Sequence, residues 1–157
     1  MSLVGALLHV LAVLAPLHGA PAPVATATAT ATADGGALAI RFSGLRSGDG
    51  KVLVAIFRGE DGFPMASEKA WKRMVVPIRG TTASVDLEGL PAGEYAISAV
   101  HDENGNNELD TNFIGIPKEG LGASNNAKGR MGPPKYRDAR FSVGAEPVTQ
   151  SIRIVYL

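Results

Sequence analysis

Residues 90–102 read Leu-Pro-Ala-Gly-Glu-Tyr-Ala-Ile-Ser-Ala-Val-His-Asp, which places turn-forming residues directly before an apolar run. Proline presets one turn dihedral angle and glycine tolerates a positive φ, so Pro91-Ala92-Gly93 predicts a tight corner. The β-rich run at residues 95–100 then predicts a core strand. Because Tyr95 begins this strand, we expect its ring to have a structural role at the corner.

Two alternating runs lie upstream of this strand. Apolar side chains alternate with others along residues 38–42 and 52–57, with Ser-Gly-Asp-Gly at residues 47–50 between them. This pattern predicts two strands joined by a hairpin-like turn. Residues 63–72 carry Pro64 near their start and helix-favouring side chains after it, which predicts one short crossover helix.

Four more β-rich runs complete the pattern, at residues 74–78, 83–87, 139–143 and 151–156. Pro77 cannot donate a ladder hydrogen bond, so the first of these runs should lie at a sheet edge or stop there. About seven short strands with frequent turns predict an all-β fold, an antiparallel two-sheet sandwich of the Ig-like kind. The Leu-Pro-x-Gly-x-Tyr pattern at residues 90–95 resembles that of prealbumin-like sandwiches. One short helix and a long ordered loop complete the expected architecture.

The composition limits the class of protein. The chain has 157 residues, which suits one domain, and its 19 glycines and 10 prolines favour many turns over a helical bundle. Fifteen basic residues balance fifteen acidic ones, so no charge excess attracts nucleic acid or an anionic membrane. The absence of cysteine excludes disulfides, thiolate metal sites, a cysteine nucleophile and a lipidated cysteine.

The N-terminal segment predicts export. Residues 3–15 are apolar and lead into small residues at 19–22, which is typical of a secretory signal. The run is shorter than the roughly 20 residues that cross a bilayer, so we expect no stable membrane span. We therefore predict a signal peptide at 1–22, an Ala/Thr-rich flexible spacer at 23–35 and a β-sandwich domain at 36–157, in a periplasmic or secreted protein. Cleavage near Ala20, near Ala22 or inside the spacer fits equally well.

A long segment at residues 101–135 has no convincing apolar period. Loops of this length inside a compact domain are usually functional or disordered. Several apolar side chains could pin the segment onto the domain, and they are Leu109, Phe113, Ile114, Ile116, Leu121 and Met131. We therefore predict an ordered functional loop.

The start of this loop carries oxygen-bearing side chains at the spacing of a calcium loop. The candidate ligands are Asp102, Asn104, Asn106 and Asp110, with Glu108 supplying a backbone carbonyl. Asn107 stands where an EF-hand has glycine, and Phe113 stands where it has a bidentate glutamate, so no full EF-hand is present. A further oxygen would come from Glu103, Glu119, a loop carbonyl or water. The alternative is that these side chains bond their own backbone in consecutive turns without an ion.

Enzyme hypotheses find less support. His101 is the only histidine after residue 18, which disfavours a catalytic zinc site, and we expect it to anchor the loop by hydrogen bonds. A Ser124/His101/Asp102 triad is disfavoured because neighbouring strand residues point to opposite faces. A carboxylate pair formed by Glu103 and Glu108 remains as a hydrolase alternative. We therefore expect no enzymatic activity.

Several sequence blocks resemble one bacterial family, and they are Pro91-Ala-Gly-Glu-Tyr-Ala, His101-Asp-Glu-Asn-Gly-Asn, Leu109-Asp, Gly115-Ile-Pro-Lys-Glu-Gly, Ser124-Asn-Asn, Gly132-Pro-Pro and Asp138-Ala. In this order they look like the DUF2141 family of uncharacterised exported proteins. The resemblance implies an exported sandwich domain and brings no established activity. The chain differs at Asn107, where similar chains commonly have glycine, and at Lys135-Tyr136, where Ser-Phe is common.

The expected function is that of an exported, non-enzymatic binding or structural module with a calcium-stabilised loop. Its partner would be an unknown protein or small ligand and not a nucleic acid. One alternative is a small-ligand or glycan-binding protein that uses Trp71, Tyr136 and the loop carboxylates. The less favoured alternative is the carboxylate-dependent hydrolase.

Overall fold

The computed structural model describes residues 35–157, and the predicted signal peptide and nearly all of the predicted spacer lie outside these residues. The described part is built from strands, which are β1 (Gly36–Ser43), β2 (Lys51–Phe57), β3 (Lys72–Arg79), β4 (Thr82–Leu90), β5 (Gly93–Asp102), β6 (Gly120–Ala123), β7 (Phe141–Val143) and β8 (Val148–Arg153). Between residues 35 and 157, helical structure is limited to α1 (Tyr136–Ala139) and to 3₁₀ turns at Ser67–Lys69 and Ser124–Asn126. The predicted all-β class is confirmed.

The strands form one strongly bent sheet in the order β6-β5-β2-β3-β4-β1-β8, with β7 paired to β5. The β1–β8 pairing is parallel, and the other pairings are antiparallel. Leu121 of β6 and Val155 beyond β8 exchange two backbone hydrogen bonds of 2.8 Å. The two ends of the strand order therefore meet, and the sheet is nearly closed, like a barrel.

A close approach of backbone to side chains makes this closure possible. A Cβ atom at Gly120 would lie 2.4 Å from Cγ2 of Ile154 and 2.6 Å from the ring of Tyr156. Any side chain at this position would push the C-terminal segment away from β6. Glycine at 120 therefore lets the last residues of the chain complete the sheet.

Three details differ from the sequence-based predictions. The first two strands are not a hairpin, because β1 pairs with β4 and β8 whereas β2 pairs with β3 and β5. The crossover helix predicted at residues 63–72 is wrong: Ser67–Lys69 form a single 3₁₀ turn, and Lys72 already belongs to β3. An eighth strand, β6, lies inside the predicted loop.

Pro77 marks the point where β3 changes partners. Up to Pro77 the strand pairs with β2, whereas Ile78 and Arg79 pair with β4. The residue that cannot donate to the ladder therefore lies where the pairing with β2 stops, as its chemistry predicts.

The core lies inside the bent sheet, and β5 runs through its centre. Tyr95 is fully buried and its hydroxyl donates a 2.6 Å hydrogen bond to the Pro91 carbonyl, which fixes the corner that the Pro-Ala-Gly turn predicts. Trp71 packs edge-on against the same ring at 5.6 Å. A second small cluster of Ala96, Ala123 and Ala139 covers the other face of β5. These contacts bury both faces of β5 near its start, and the loop that follows begins at the other end of the same strand.

No helix among the described residues is long and apolar enough to cross a membrane.

Candidate functional site

The candidate site begins where β5 ends, at two fully buried polar residues. His101 and Asp102 are both 0 % exposed and project from opposite faces of the strand. The His101 ring contacts the Asp49 carbonyl through Nε2 at 2.9 Å and the Tyr156 hydroxyl through Nδ1 at 2.6 Å. A carbonyl only accepts, so Nε2 carries the proton and Nδ1 accepts from the tyrosine. His101 thus has the hydrogen-bonded anchoring role that the sequence predicted.

Asp102 organises the segment that follows it, residues 102–110, which we call the Asx loop. Its two carboxylate oxygens accept hydrogen bonds from the backbone N–H groups of Gly105 at 2.8 Å and Asn107 at 2.9 Å. Lys51 places its ammonium group 3.6 Å from the same carboxylate and donates to the Gly105 carbonyl at 3.1 Å. The buried charge of Asp102 is therefore balanced by one cation and two backbone dipoles.

Three further side chains of the Asx loop converge on one point. The Asn104 and Asn106 amide groups both donate to the Asp110 carboxylate, the latter over 3.2–3.3 Å. The Asn104 amide oxygen also accepts a hydrogen bond from the Asn106 backbone N–H at 3.0 Å. In the same way, the Asn106 amide oxygen accepts from the Glu108 backbone N–H at 2.9 Å. These are consecutive Asx turns, the arrangement that the ion-free alternative predicted.

Glu119 closes the Asx loop from the far side. It is only 4 % exposed, and its carboxylate accepts from the backbone N–H groups of Glu103 at 3.1 Å and Asp110 at 3.2 Å. The Lys118 N–H also donates to the Asp110 carbonyl at 2.9 Å. Glu119 lies nine residues beyond Asp110 in the chain, and its buried carboxylate thus joins the two ends of the loop.

The predicted calcium ligands are partly brought together. Asn104, Asn106 and Asp110 share one contact region, Asp102 lies at the base of the loop, and the exposed Glu108 side chain takes no part in these hydrogen bonds. Within residues 35–157, no group of three or more His, Cys, Asp or Glu side chains forms a metal-ligand cluster. Any ion would therefore depend on amide and backbone oxygens as well as on carboxylates.

The chemistry of this donor set suits a hard cation better than a soft one. Carboxylate and amide oxygens are calcium ligands, and an amide oxygen that accepts one N–H keeps a second lone pair. Asn107 adopts φ = 67°, so asparagine supplies the left-handed conformation that glycine gives in a calcium loop. Asn104, Asn106 and Asp110 are the side chains that would hold a cation at the meeting point, with the carboxylate of Asp110 supplying the negative charge.

An ion pair from a distant turn supports the start of the loop. The Arg46 guanidinium forms a bidentate ion pair with the Glu103 carboxylate. The Ser47 hydroxyl donates a hydrogen bond to the same carboxylate at 3.2 Å. The Arg46 hydrogen bond lowers the pKa of Glu103 below its ordinary value, and the same contact raises the pKa of Arg46. The guanidinium also lies 4.4 Å from the centroid of the Tyr156 ring. Burial raises the pKa of Tyr156.

The apolar side chains expected to pin the long loop do not all do so. Phe113 is 98 % exposed and Met131 is fully exposed, and Ile114 and Ile116 also face solvent. The chain turns here because the Asn112 side-chain oxygen accepts from the backbone of both isoleucines, at 3.0 and 2.9 Å. The expectation is wrong for these four residues: polar contacts, not apolar packing, order this segment.

The alternative sites are also located. The Ser124 hydroxyl donates to the Ala139 carbonyl at 2.6 Å and accepts from the Ile97 N–H at 2.9 Å, so it joins β5 to α1 and does not contact His101. Tyr136 packs edge-on against Phe63 at 5.9 Å and lines a surface groove. Neither Trp71 nor any residue of the Asx loop lines that groove.

Sequence reasoning missed the partners that come from elsewhere in the chain. Arg46 and Ser47 reach Glu103 from more than fifty residues upstream, and Tyr156 reaches His101 from 55 residues downstream. Spacing along the chain carries no signal for these contacts. Glu119 was named as one possible oxygen donor, but only its burial identifies it as the residue that closes the loop.

A family model described as "Uncharacterized protein conserved in bacteria (DUF2141)" matches residues 40–151. The chain therefore belongs to the DUF2141 family, as the resemblance of its sequence blocks implied. No curated protein and no solved structure matches it. The matched span runs from β1 into β8 and contains the whole Asx loop.

Proposed function

We propose that this DUF2141 protein is an exported, non-enzymatic binding or structural module whose Asx loop is organised by calcium. The observation that carries the proposal is the meeting of the Asn104, Asn106 and Asp110 side chains at one point, on a loop fixed at its base by buried Asp102. Calcium accepts six to eight oxygens in flexible geometry, so backbone carbonyls and water would complete the shell.

The state of Glu103 supports the non-enzymatic part of the proposal. A general acid in a carboxylate pair needs a raised pKa, whereas the contact with Arg46 lowers the pKa of Glu103. Glu108, the other member of the alternative pair, is exposed. In a hydrolase, Glu103 could therefore serve only as the ionised member of the pair, and the acid would have to be Glu108 or another residue.

Calcium binding is tested by its effect on thermal unfolding of chelator-treated protein. With a dissociation constant of about 0.1 mM, typical of extracellular modules, about 1 mM calcium would stabilise the fold by roughly 1.4 kcal/mol. The melting temperature should rise, and magnesium should raise it less because magnesium requires a tight octahedral shell. An unchanged melting temperature in millimolar calcium would contradict the proposal and favour a loop held by its own hydrogen bonds.

The matched variants are Asp110→Asn and Glu88→Gln, each of which removes one negative charge. Asp110→Asn keeps the size of the side chain but weakens the predicted ligand, so the calcium-induced shift should be largely lost. Glu88 lies exposed on β4, away from the loop, and its variant should keep the full shift. An equal calcium response in the two variants would show that Asp110 is not a ligand.

The two-sheet sandwich remains a proposal for how the bent sheet is best described. Its support is the change of partner within β3, whose first part pairs with β2 and whose last two residues pair with β4. A strand that passes from one layer to the other would make the corner of such a sandwich. An experimental structure in which the layers around β2 and β1 do not face each other would contradict it.

The small-ligand alternative keeps one supporting observation, the groove lined by Tyr136. Five of its eight lining residues are prolines or aromatic residues, and the other three, Glu60, Lys135 and Arg137, are charged. Small-molecule sites commonly combine apolar walls with a few polar groups. Because Trp71 and the loop carboxylates lie elsewhere, a ligand in this groove would not use the residues that the sequence suggested.

A further inference from the structure

The segment from residue 128 to residue 138 folds around an open cavity of about 680 Å³, which we call the basic cavity. Its charged lining residues are Lys128, Arg130, Lys135, Arg137 and Asp138. Four cations and one carboxylate thus leave a net of three positive charges in eleven residues of chain. The whole chain is neutral, with fifteen basic and fifteen acidic residues, so the positive charge is local to this cavity.

Within the described part of the chain, three of these four cations have no carboxylate at ion-pair distance. The carboxylate of Asp138 lies 3.7 Å from the Arg137 guanidinium. Elsewhere, Arg46 and Arg140 are paired with glutamates. Among residues 35–157, no carboxylate lies within ion-pair distance of Lys128, Arg130 or Lys135. An oxyanion in the cavity would supply the missing charge.

The cavity is held in shape by the backbone. A Cβ atom at Gly129 would lie 1.6 Å from the Gly132 carbonyl oxygen, so the two sides of the loop touch and only glycine fits there. The residues that flank the segment are tied to each other, since Ser124 donates to the Ala139 carbonyl at 2.6 Å and Asn125 donates to the Arg140 carbonyl at 2.8 Å. The cations are therefore carried on an ordered loop, which lowers the entropic cost of binding.

The groove lined by Tyr136 continues directly from the basic cavity. The two share Pro133, Lys135 and Arg137, and the groove adds Phe63, Pro64, Pro134, Tyr136 and one acidic residue, Glu60. The anionic group of a ligand would therefore lie in the basic cavity, and Glu60 could accept hydrogen bonds from ligand hydroxyls in the groove. A ligand that spans both would place an anionic group among the cations and an apolar ring face against the aromatic and proline walls. A flat anionic surface would match neither the concave shape of the cavity nor this apolar wall.

We propose that the basic cavity binds the phosphate or sulfate ester group of a saccharide, with the sugar ring lying along the Tyr136 groove. Arg and Lys side chains are the usual partners of such groups, because their N–H donors match the geometry of the ester oxygens. The proposal does not depend on calcium in the Asx loop, since none of that loop's residues lines either depression.

The test is a binding titration of the protein with glucose 6-phosphate, glucose 6-sulfate, inorganic phosphate and unmodified glucose, each with calcium and with chelator. Both esters should bind in either condition, and glucose should not. Raising the salt concentration from about 50 mM to about 500 mM should weaken ester binding by about tenfold, because the contacts are ionic. Inorganic phosphate should bind more weakly than the esters, since it lacks the ring.

The variant Lys128→Gln/Arg130→Gln removes two charges from the cavity and should weaken ester binding by about tenfold or more. Its control is Lys72→Gln/Arg73→Gln, which removes the same two charges from exposed positions on β3. The control should change the affinity by less than about twofold. Gly129→Ala keeps every charge but cannot keep the loop closed, so it too should weaken binding. A thermal unfolding curve measured for each variant should confirm that the variant is folded.

Several results would overturn the proposal. An equal loss of ester affinity in the two double variants would indicate unspecific charge attraction. If the esters bind no better than glucose, the cavity does not recognise the ester group. Inorganic phosphate binding as tightly as the esters would remove the sugar from the proposal. Binding to phosphatidylglycerol vesicles but to no soluble ester would identify the cavity as a membrane contact.

Discussion

At the scale of single residues, an acid and a base from distant parts of the chain hold the start of the Asx loop. Arg46 follows β1, whereas Glu103 follows β5, and their contact joins the two connections. The side chain of Glu103 is 21 % exposed and that of Arg46 is 53 % exposed, so water screens the pair mainly from the arginine side. Its strength should therefore show in the pH dependence of stability.

Glu103→Gln is expected to reduce the acid sensitivity of the fold. Because the pKa of Glu103 is lowered in the folded state, the unfolded chain takes up the proton first as the pH falls. The stability from the pair is present above the ordinary glutamate pKa and is lost as the pH falls through the lowered value. Melting temperatures of wild type and variant, compared between about pH 7 and pH 2, should differ most at neutral pH and converge in acid.

Glu88→Gln is the control for this measurement, since Glu88 is exposed on β4. Its curve should run parallel to that of the wild type. A difference between wild type and Glu103→Gln that stays constant down to pH 2 would contradict the role of the charged pair.

Single residues also show where sequence reasoning ends. The Asx loop could be predicted because its side chains bond to backbone within a few residues, and such local contacts follow from spacing. The exposure of Phe113 could not be predicted, because an apolar side chain on a turn is buried only if another part of the chain covers it. The same holds for Arg46, whose partner depends on how two distant connections meet.

At the scale of elements, the size of the apolar side chains and their alternation along the chain determine which strands can be predicted. Strands β1 and β2 alternate large apolar side chains, and their positions follow from the sequence. Strand β6 reads Gly-Leu-Gly-Ala and offers a single bulky residue, so no period of two is visible. Pairing partners are harder still, since β1 lies between β4 and β8, neither of which is next to it in sequence.

Gly120→Ala is expected to loosen the closure of the sheet. The added methyl group would overlap the buried Ile154 and the ring of Tyr156, which is held by His101, so neither neighbour can move freely. Overpacking of this kind costs about 1–3 kcal/mol. Denaturant unfolding measures the loss. Gly144→Ala is the matched control, because a Cβ there meets no atom within 4 Å, and a similar loss in both variants would contradict the closure argument.

At the scale of the whole molecule, the proposed export determines where the protein would meet calcium and saccharide ligands. The apolar run and its small-residue exit predict a mature protein that starts between about residue 20 and residue 34 and lies outside the cytoplasm. N-terminal sequencing of protein recovered from periplasm or medium checks both points. Protein found only in the cytosol, with residues 2–20 intact, would contradict export.

The parallel pairing of β1 with β8 also affects the order of folding. Leu38 pairs with Val148, so the contact closes a chain segment of about 110 residues, and loop closure becomes more costly with length. Folds dominated by such long-range pairings reach the native state slowly compared with helical bundles. During synthesis from the N-terminus, β1 lacks this neighbour until β8 has been made. The late partner strand thus delays completion of the sheet, and the proposed export would act within this interval, while the chain is still unfolded.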